Sequence, residues 1–467
     1  MSSVTRIAIL GGGPGGYEAA LVAAQLGADV VIIERDGVGG ACVLADCVPS
    51  KTLIATSETI TGFAGSEALG VRLRSGGRVS DQVSVDALAV NNRVKALANA
   101  QSVDIATRLA GEGVEVIKGT GRFRNARQIV VTSGVEERVV DTDVVLVATG
   151  ASPRVLRDAP PDGERILNWQ QMYDLPTLPE HLVVVGSGVT GAEFASAYLA
   201  LGSEVTLVSS RDRVMPSEDA DAALLIEEVF TRRGMHIVRQ ARAAGVVRTV
   251  TGVEVELIDG RRVQGSHCLV AVGSVPNTTD IGLDLAGVAT DAAGHVLVDR
   301  VSRTSTPGIY AAGDCTGLLL LASVAAMQGR TAMWHALGDA VAPLRLATVS
   351  ANVFTDPEIA TVGLVSVEAA AERGGVRELK LALATNARAK MQGIEDGFVK
   401  LYCRPGTGAV LGGVVVAPRA SELILPVSLA VQHGLTVDQL SHTFTIYPSI
   451  TGSITEAARL LHLAASD

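Results

Sequence analysis

The run RIAILGGGPGG, residues 6–16, decides the fold of the first part of this chain. Its apolar half, Arg6–Leu10, predicts a buried strand of a parallel sheet, because such strands are covered on both faces. The glycines that follow have the spacing G-x-G-x-x-G, which Gly11, Gly13 and Gly16 supply. Glycine at these three places permits a tight turn, a close approach of the backbone to a pyrophosphate, and close packing of a helix on the strand.

A helix and a second strand complete this unit. We expect the helix to begin near Tyr17, with the phosphates at its N-terminus. The next strand, Asp29–Ile33, ends in Glu34, whose carboxylate is placed to accept hydrogen bonds from ribose hydroxyls. A glycine-rich turn alone is also compatible with a purely structural role. The full order of strand, glycines, helix, strand and acid favours a dinucleotide-binding unit.

The same order occurs a second time in the middle of the chain. It comprises a strand, three glycines and a helix: His181–Val185, Gly186, Gly188, Gly191 and Ala192–Leu201. Two such units imply that the protein binds two dinucleotides.

The strand that closes the second unit, Glu204–Val208, is followed by Ser209, Ser210 and Arg211 rather than by an acid. An acid there would bind the 2'-hydroxyl of NAD and repel the 2'-phosphate of NADP, whereas the serines repel neither. Arg211 and Arg213 either pair with that phosphate or are ordinary exposed arginines. We expect NADPH to be accepted and leave NADH open as a second donor.

Between the two units, the segment GGACVLADCVPSK spans residues 39–51 and contains Cys42 and Cys47. Two cysteines at this spacing can form a disulfide across one helical turn beside a redox cofactor. Paired cysteines also occur as small buried hydrophobes. The flanking Gly-Gly, Pro49 and Lys51 favour the redox interpretation.

Further strand ends carry residues suited to contact with a cofactor. The strand Asp143–Val147 ends in Ala148, Thr149 and Gly150, where backbone can approach a ligand. The segment Thr306–Asp314 ends in Gly-Asp, and this last carboxylate suits a hydrogen bond to a ribityl hydroxyl. The sequence therefore places several candidate contacts at the ends of buried strands.

The composition argues against several classes of protein. A chain of 467 residues with 48% apolar residues exceeds one hydrophobic core, so about two to four domains are expected. A net charge of −10 without a long basic run argues against nucleic-acid binding, and five scattered cysteines do not make a secreted disulfide scaffold. We find no signal-peptide pattern and no uninterrupted apolar run of about 18 residues. We therefore expect a cytoplasmic protein without stable membrane insertion.

From about Leu344 the pattern changes to strands and helices without a nucleotide motif. Phe398–Cys403 and Val410–Val416 predict antiparallel strands, and Ser421–His433 and Ile454–Leu463 predict helices. We expect this part to form a subunit interface.

Taken together, these blocks resemble the flavoprotein disulfide reductase family, which includes lipoamide dehydrogenase and glutathione reductase. The resemblance extends from end to end and implies an α/β fold with two Rossmann-like dinucleotide-binding domains, for FAD and NAD(P)H, plus a C-terminal α+β dimerisation domain. It implies an FAD domain in residues 1–150 and 276–343, an NAD(P)H domain in 151–275 and a dimerisation domain in 344–467. It also implies a homodimer in which the partner subunit completes the active site.

The resemblance implies roles for individual residues as well. Cys42 would exchange with substrate, Cys47 would face the flavin, and Lys51 would lie near the flavin, paired with Glu193. Tyr447 would occupy the acid-base position. The cofactor-binding set would comprise Gly11, Gly13, Pro14, Gly16, Glu34, Arg35, Gly40, Ala41, Cys42, Cys47, Lys51, Gly121, Ala148, Thr149, Gly150, Gly186, Gly188, Val189, Thr190, Gly191, Glu193, Ser209, Ser210, Arg211, Gly273, Gly313, Asp314 and Ala322.

Three departures from the family pattern bear on the reaction. Disulfide reductases carry a His-Pro whose histidine is oriented by a glutamate, and here these positions are Tyr447 and Gly452. A phenol does not exchange protons at neutral pH as imidazole does, and His433 and His442 are not obvious substitutes. Asp46 directly precedes Cys47, where it would disfavour a thiolate.

The same Tyr-Pro replacement occurs in family members that do not reduce disulfides, and the run from Tyr447 looks most like the lipoamide-dehydrogenase-like NAD(P)H:quinone reductases. We therefore expect a flavoenzyme that passes electrons from NAD(P)H to a quinone-type acceptor. The alternative is a disulfide reductase that uses Cys42 and Cys47 with an unusual substrate or proton donor. A third possibility is a flavoprotein without catalytic activity, against which Lys51, Glu193 and two nucleotide sites argue.

Overall fold

A computed structural model describes residues 4–74, 76–77, 82–365 and 375–463. The strands, in chain order, are β1 (Arg6–Leu10), β2 (Asp29–Glu34), β3 (Glu115–Lys118), β4 (Thr120–Asn125), β5 (Gln128–Ser133), β6 (Glu136–Asp141), β7 (Val144–Val147), β8 (Ala151–Pro153), β9 (Ile166–Leu167), β10 (His181–Val185), β11 (Glu204–Val208), β12 (His236–Val238), β13 (Ala243–Arg248), β14 (Val253–Leu257), β15 (Arg262–Gly265), β16 (His267–Val270), β17 (Ser274–Pro276), β18 (Ile309–Ala311), β19 (Ser350–Val353), β20 (Glu358–Gly363), β21 (Arg377–Ala382), β22 (Phe398–Cys403) and β23 (Val410–Ala417).

The α-helices are α1 (Pro14–Gln25), α2 (Gly40–Leu44), α3 (Cys47–Gly65), α4 (Ala87–Gly111), α5 (Val189–Leu201), α6 (Ala220–Arg232), α7 (Ala322–Ala336), α8 (Ala387–Met391), α9 (Ala420–Leu423), α10 (Leu425–His433), α11 (Val437–Ser441) and α12 (Gly452–Leu463). Within the described ranges, no helix is both long enough and apolar enough to cross a membrane.

The chain divides into two compact units, and each is assembled from separate segments. The first unit consists of Met1–Thr52, Asn91–Arg154 and Gly273–Arg345. The second consists of Leu53–Val90, Val155–Val272 and Leu346–Asp467. The domain boundaries expected after residues 150, 275 and 343 remain predictions.

A parallel sheet forms the centre of the first unit. Its strand order is β18-β7-β1-β2-β3, so β1 lies in the middle and pairs with β2 and β7. Apolar side chains cover both faces, which explains why β1 is a continuous apolar run. Next to it, β4, β5 and β6 form an antiparallel sheet, and β8 pairs with β17.

The second unit contains a parallel sheet of the same kind, with the order β12-β11-β10-β16-β9. The strand β10 lies in the middle of this sheet. It precedes the second G-x-G-x-x-G motif, Gly186, Gly188 and Gly191, which we call the second glycine frame; the first glycine frame is Gly11, Gly13 and Gly16. An antiparallel sheet of β13, β14 and β15 accompanies it.

The C-terminal part of the second unit is an antiparallel sheet with the order β19-β20-β23-β22-β21. Helices α10, α11 and α12 contribute buried side chains, such as Val427, Leu440 and Ile454, to the core on this sheet. The antiparallel strands predicted around residues 398–416 are confirmed.

Four helix predictions differ from the structure. The first helix begins at Pro14 rather than near Tyr17, because proline suits the first helical turn and Gly13 caps it. The second nucleotide helix begins at Val189 rather than at Ala192. The helix predicted over residues 421–433 is two helices, α9 and α10, because the proline in the first turn of α10 favours a new helix start. The two cysteines do not share one helical turn, since α2 ends before Cys47 begins α3.

Candidate active site

Two of the three glycines in the first G-x-G-x-x-G motif lie too close to backbone atoms to carry a side chain. Gly11 has φ +103°, and a Cβ built on it would lie 2.3 Å from the carbonyl oxygen of Ala148. A Cβ on Gly16 would lie 1.9 Å from the carbonyl oxygen of Gly11. A Cβ on Gly13 would have no heavy atom within 4 Å. Two glycines are therefore required by the fold itself, while Gly13 leaves an open face on the turn.

That open face meets the N-terminus of α1. Gly13 is the N-cap residue and has no side chain that could cap the first turn of the helix. Unpaired N–H groups at a helix N-terminus attract anions, so this turn fits the pyrophosphate of a dinucleotide. Pro14 supplies the first helical residue without an N–H group of its own.

The side chain of Glu34 forms hydrogen bonds with the backbone on both sides of this turn, at Gly12 and at Asp36. Its Oε2 accepts a hydrogen bond from the N–H of Gly12 at 2.6 Å, and its Oε1 accepts one from the N–H of Asp36 at 2.7 Å. A carboxylate can accept several hydrogen bonds, so these contacts are compatible with the expected ribose contact, which remains a prediction. Arg35 is exposed and pairs with Asp36.

The redox segment is anchored directly to the same glycine turn. The N–H of Gly39 donates to the carbonyl oxygen of Gly12 at 2.7 Å. Gly40 has φ +57°, and a Cβ on it would lie 2.8 Å from the Cα of Gly13. Glycine is needed here for both the conformation and the close approach of two backbones. Ala41 follows as an exposed residue of α2.

The two cysteines face each other from consecutive helices. Neither forms a disulfide, both are half-buried, with Cys42 in α2 and Cys47 at the start of α3, and their thiols are hydrogen-bonded to each other. That hydrogen bond and burial raise the pKa of the Cys42 thiol, and the carboxylates of Asp46 and Asp314 raise it further. Lys51 lies one turn further along α3.

The Gly-Asp motif lies at the end of β18, beside the N-terminus of α7. Burial raises the pKa of the Asp314 carboxyl to about 6, and the nearby carboxylate of Asp46 adds to the shift. Gly313 has φ +82°, and its N–H donates to Oε1 of Gln328 at 2.8 Å. A half-buried carboxyl of this kind suits hydrogen bonding to a polyol chain. Ala322 begins α7.

Gln328 was missed by the sequence analysis. It is 1% exposed and lies in α7, where a polar residue among small apolar neighbours was the available signal. Beside it, a Cβ on Gly329 would lie 2.1 Å from the carbonyl oxygen of Gly15, so α1 and α7 pack backbone against backbone.

The remaining predicted contacts of the first unit lie at strand ends. Asn277 ties them together, because its side chain donates to the carbonyl oxygen of Thr149 and its N–H donates to that of Gly150, each at 3.0 Å. The carbonyl oxygen of Gly273 accepts from the N–H of Arg154. A Cβ on Gly121 would lie 2.6 Å from Leu10, so packing on β1 already explains that glycine.

The second glycine frame repeats the geometry of the first. A Cβ on Gly186 would lie 2.1 Å from the carbonyl oxygen of Ala271, and one on Gly191 would lie 1.8 Å from that of Gly186. A Cβ on Gly188 would have nothing within 4 Å. Val189 and Thr190 form the first turn of α5, again without a side-chain cap. The turn between β10 and α5 therefore fits the pyrophosphate of another dinucleotide.

The residues after β11 that were predicted to set the choice between NADPH and NADH differ in their exposure. Ser209 is fully buried, and its hydroxyl lies 2.7 Å from that of Ser187, so it braces the loop from inside. Arg213 donates to the carbonyl oxygen of Pro216 at 3.1 Å. Ser210 and Arg211 are exposed at the end of the strand. Of the residues predicted to contact the nucleotide here, these two have exposed side chains.

Glu193 is buried in α5, and its Oε1 accepts a hydrogen bond from the N–H of Phe354 at 2.9 Å. The carboxylate thus fixes the start of the segment that leads to β20. The predicted pairing of Glu193 with Lys51 remains a prediction.

Tyr447 and Gly452, which are predicted to occupy the acid-base position, lie in the C-terminal part of the second unit. Tyr447 is 86% exposed in the single chain, and Gly452 is the first residue of α12. His442 is exposed, and its Nδ1 lies 2.8 Å from the carbonyl oxygen of Asp438.

Comparison with known families agrees with this geometry. The family described as pyridine nucleotide-disulphide oxidoreductase matches residues 5–329, and its dimerisation domain matches residues 349–458. The chain therefore belongs to the pyridine nucleotide-disulphide oxidoreductases, and its cofactors are FAD and NAD(P)H. The dimerisation domain supports the expected homodimer.

The chain is also similar to individual proteins of this family. The chain is 54% identical to a protein from Mycobacterium tuberculosis named NAD(P)H dehydrogenase (quinone), covering 98% of this chain and 94% of that one. The crystal structure of LpdA from Mycobacterium tuberculosis has a TM-score of 0.93 and 55% identity, covering 98% of this chain and 100% of that one. Dihydrolipoyl dehydrogenase from Zymomonas mobilis is 32% identical over 96% of both chains. The expected fold class is thus confirmed.

Proposed function

We propose that this flavoenzyme transfers two electrons from NAD(P)H to a quinone-type acceptor. The overall reaction converts NAD(P)H, a proton and a quinone into NAD(P)⁺ and a hydroquinone. Bound FAD supplies the chemistry that links a two-electron donor to such an acceptor. In this proposal the residues of the chain hold the two dinucleotides and exclude competing reactions.

The observation that carries the proposal is the presence of Tyr447 and Gly452 in the segment where the family resemblance predicts the acid-base pair. Reduction of a disulfide needs a group that moves protons between thiols at neutral pH, and histidine is suited to this because its charge changes near pH 7. A quinone takes up electrons without a dithiol step, so the replacement by tyrosine is tolerable. The quinone activity in the name of the relative with 54% identity supports the same acceptor class.

Binding in this proposal uses the two glycine frames. The N-termini of α1 and α5 hold the two pyrophosphates, with Gly13 and Gly188 leaving room for them. The carboxyl group of Asp314 forms a hydrogen bond with a hydroxyl of the ribityl chain, either as acceptor or as donor. Arg211 contacts the 2'-phosphate of NADPH.

The test compares acceptors in steady-state turnover of the flavin-loaded protein with NADPH. We expect a naphthoquinone to be reduced at least about tenfold faster than lipoamide, and the Cys42→Ser variant to retain quinone turnover within about twofold. Rapid lipoamide turnover with negligible quinone turnover would contradict the proposal.

A second candidate function, reduction of an unusual disulfide, is favoured by one observation. Cys42 and Cys47 are both present, and their thiols are in hydrogen-bond contact. In that case Cys42→Ser and Cys47→Ser abolish turnover with the disulfide, because thiol exchange needs both sulfurs. Full disulfide reductase activity in Cys42→Ser would eliminate this candidate.

A further inference from the structure

The two glycine frames share one backbone arrangement. In the first unit the N–H of Gly11 donates to the carbonyl oxygen of Ile33 at 2.9 Å, and in the second unit the N–H of Gly186 donates to that of Val208 at 3.0 Å. Each bond joins the start of the glycine turn to the neighbouring parallel strand, β2 in the first unit and β11 in the second. The residues that follow the two acceptors therefore occupy equivalent positions, as do the second residues of the two frames.

The first unit has a glutamate and a glycine at these positions. Oε2 of Glu34 accepts a hydrogen bond from the N–H of Gly12 at 2.6 Å. A Cβ on Gly12 would lie 3.1 Å from this Oε2 and 3.2 Å from Cγ of Glu34, whereas ordinary van der Waals contact begins at 3.4 Å. A glutamate in this conformation therefore requires glycine as the second residue of the frame.

The second unit has two serines instead. Ser187 is the second residue of its frame and Ser209 follows β11; both are buried, and their hydroxyl oxygens lie 2.7 Å apart. Oγ of Ser209 also lies 3.3 Å from the carbonyl oxygen of Arg211 and 3.2 Å from that of Arg213. Because a carbonyl oxygen only accepts, Ser209 donates its one proton to these oxygens and accepts the proton of Ser187. The pair is neutral, and both hydroxyls are hydrogen-bonded.

The same hydroxyl fixes the turn that carries Arg211. The N–H of Arg211 donates to Oγ of Ser209 at 3.2 Å, as the N–H of Asp36 donates to the carboxylate of Glu34 in the first unit. The carbonyl oxygen of Arg211 accepts from the N–H of Gln240 at 2.9 Å, while its side chain is exposed. A basic side chain thus lies on an ordered turn at the position that Asp36 has in the first unit.

We propose that the hydroxyl pair of Ser187 and Ser209 makes the second glycine frame selective for a dinucleotide with a 2'-phosphate. The Cβ of Ser187 lies where the side chain of an acid at position 209 would have to lie, so the frame excludes the ribose-binding carboxylate that repels this phosphate. Arg211, held by the same pair, then faces the phosphate as its cation. Both serines are positioning residues. The proposal rests on the proposed function, which places the second dinucleotide at the start of α5.

The test measures binding of the oxidised cofactors NADP⁺ and NAD⁺ to the flavin-loaded protein by titration calorimetry. Because FAD already fills the first site, the added dinucleotide binds at the second. We expect the native protein to bind NADP⁺ at least about tenfold more tightly than NAD⁺. In Ser209→Glu we expect the affinity for NADP⁺ to fall at least about tenfold without a gain for NAD⁺, because Ser187 keeps the carboxylate away from the ribose.

Adding Ser187→Gly to Ser209→Glu reproduces the glycine and glutamate of the first unit. We expect this double variant to bind NAD⁺ about tenfold more tightly than Ser209→Glu does, and to prefer NAD⁺ over NADP⁺. A merely structural role of the serines predicts no such reversal, because loss of the second hydroxyl would only add to the damage. Thr251→Glu adds an acid to the exposed turn between β13 and β14 and is the control for net charge, which should keep the native ratio of affinities.

If Ser209→Glu does not fold, Ser187→Ala tests the hydroxyl pair with a smaller change. This substitution removes one hydroxyl and keeps the Cβ, so the turn that carries Arg211 loses a hydrogen bond while the acid-free site is retained. We expect the affinity for NADP⁺ to fall about threefold to tenfold and the affinity for NAD⁺ to change less than about twofold.

The proposal is overturned if the native protein binds NAD⁺ as tightly as NADP⁺, or if Ser187→Ala keeps the native ratio. It is also overturned if the double variant binds NAD⁺ no more tightly than Ser209→Glu, or if Thr251→Glu shifts the ratio as Ser209→Glu does. None of these measurements needs an electron acceptor. Absence of quinone turnover would leave the affinities unchanged, so failure of the proposal and failure of the proposed function are distinguishable.

Discussion

Lys400 and Asp219 form a buried ion pair, with Nζ 2.7 Å from Oδ2 and side chains only 4% and 3% exposed. Asp219 also caps α6 by accepting from the N–H of Ala222, and it accepts from the hydroxyl of Tyr402 at 3.1 Å. Tyr402 and Lys400 are both residues of β22. The pair therefore joins the first turn of α6 to the C-terminal sheet of the same unit.

Replacing Lys400 with alanine should destabilise the protein strongly. The substitution leaves the carboxylate of Asp219 buried without its cation, and loss of one partner of a buried pair costs about 3–5 kcal/mol. We expect a clear fall in the midpoint of thermal unfolding. The matched control is Lys380→Ala, because Lys380 pairs with Asp221 and is 44% exposed. That exposed pair should be worth at most about 1 kcal/mol, and equal shifts for the two variants would contradict the prediction.

Gly13→Ala should block flavin binding without disturbing the fold. The residue has φ −69°, which alanine adopts freely, and its Cβ would meet no protein atom. The added methyl group would occupy the face of the turn assigned to the pyrophosphate. We expect little change in thermal stability after flavin removal and at least about a tenfold loss of FAD affinity, measured by flavin fluorescence.

Two further glycines serve as controls for that result. Gly16→Ala should prevent folding, because its Cβ would lie 1.9 Å from a backbone oxygen. Gly188→Ala should retain FAD but bind NADPH weakly. Full FAD affinity in Gly13→Ala would show that the pyrophosphate lies elsewhere.

The stability of the flavin-free protein should fall as the pH rises from about 4 to about 6. Burial and the charge of Asp46 raise the pKa of Asp314 from 3.8 to about 6, so in this window the unfolded state has lost the proton that the folded state retains. A shift of this size corresponds to about 3 kcal/mol, all of it lost above pH 6. Thermal unfolding measured against pH should show this fall in the native protein and not in Asp314→Asn. Parallel curves for the two proteins would refute the assignment.

Arg211→Ala should weaken the binding of NADPH selectively. A charge-assisted hydrogen bond to the 2'-phosphate is worth about 1.5–3 kcal/mol, which corresponds to an increase of KM for NADPH of at least about tenfold. The KM for NADH should change less than about twofold, because that cofactor lacks the phosphate. Arg213→Ala is the control, since this guanidinium donates to a backbone oxygen. A similar rise of KM for both cofactors would contradict the role of Arg211.

Much of the fold could be predicted because its signals are local. The apolar run of β1 and the two glycine frames specify strand, turn and helix within a few residues of one another. The start of α1 at Pro14 was missed because glycines obscured the helical periodicity. The break between Cys42 and Cys47 was missed because spacing alone does not distinguish one helix from two.

The sequence by itself determined the two dinucleotide units and the cysteine pair and predicted the replacement at Tyr447, because each is a short pattern whose chemistry depends on neighbouring residues. Only the tertiary structure decided how distant groups interact. It buried Ser209 beside Ser187, brought Lys400 to Asp219 across the chain, and placed Asp314 where its charge acts on Cys42. Burial and electrostatic coupling arise from residues far apart in the chain, and no local pattern specifies which of them will meet.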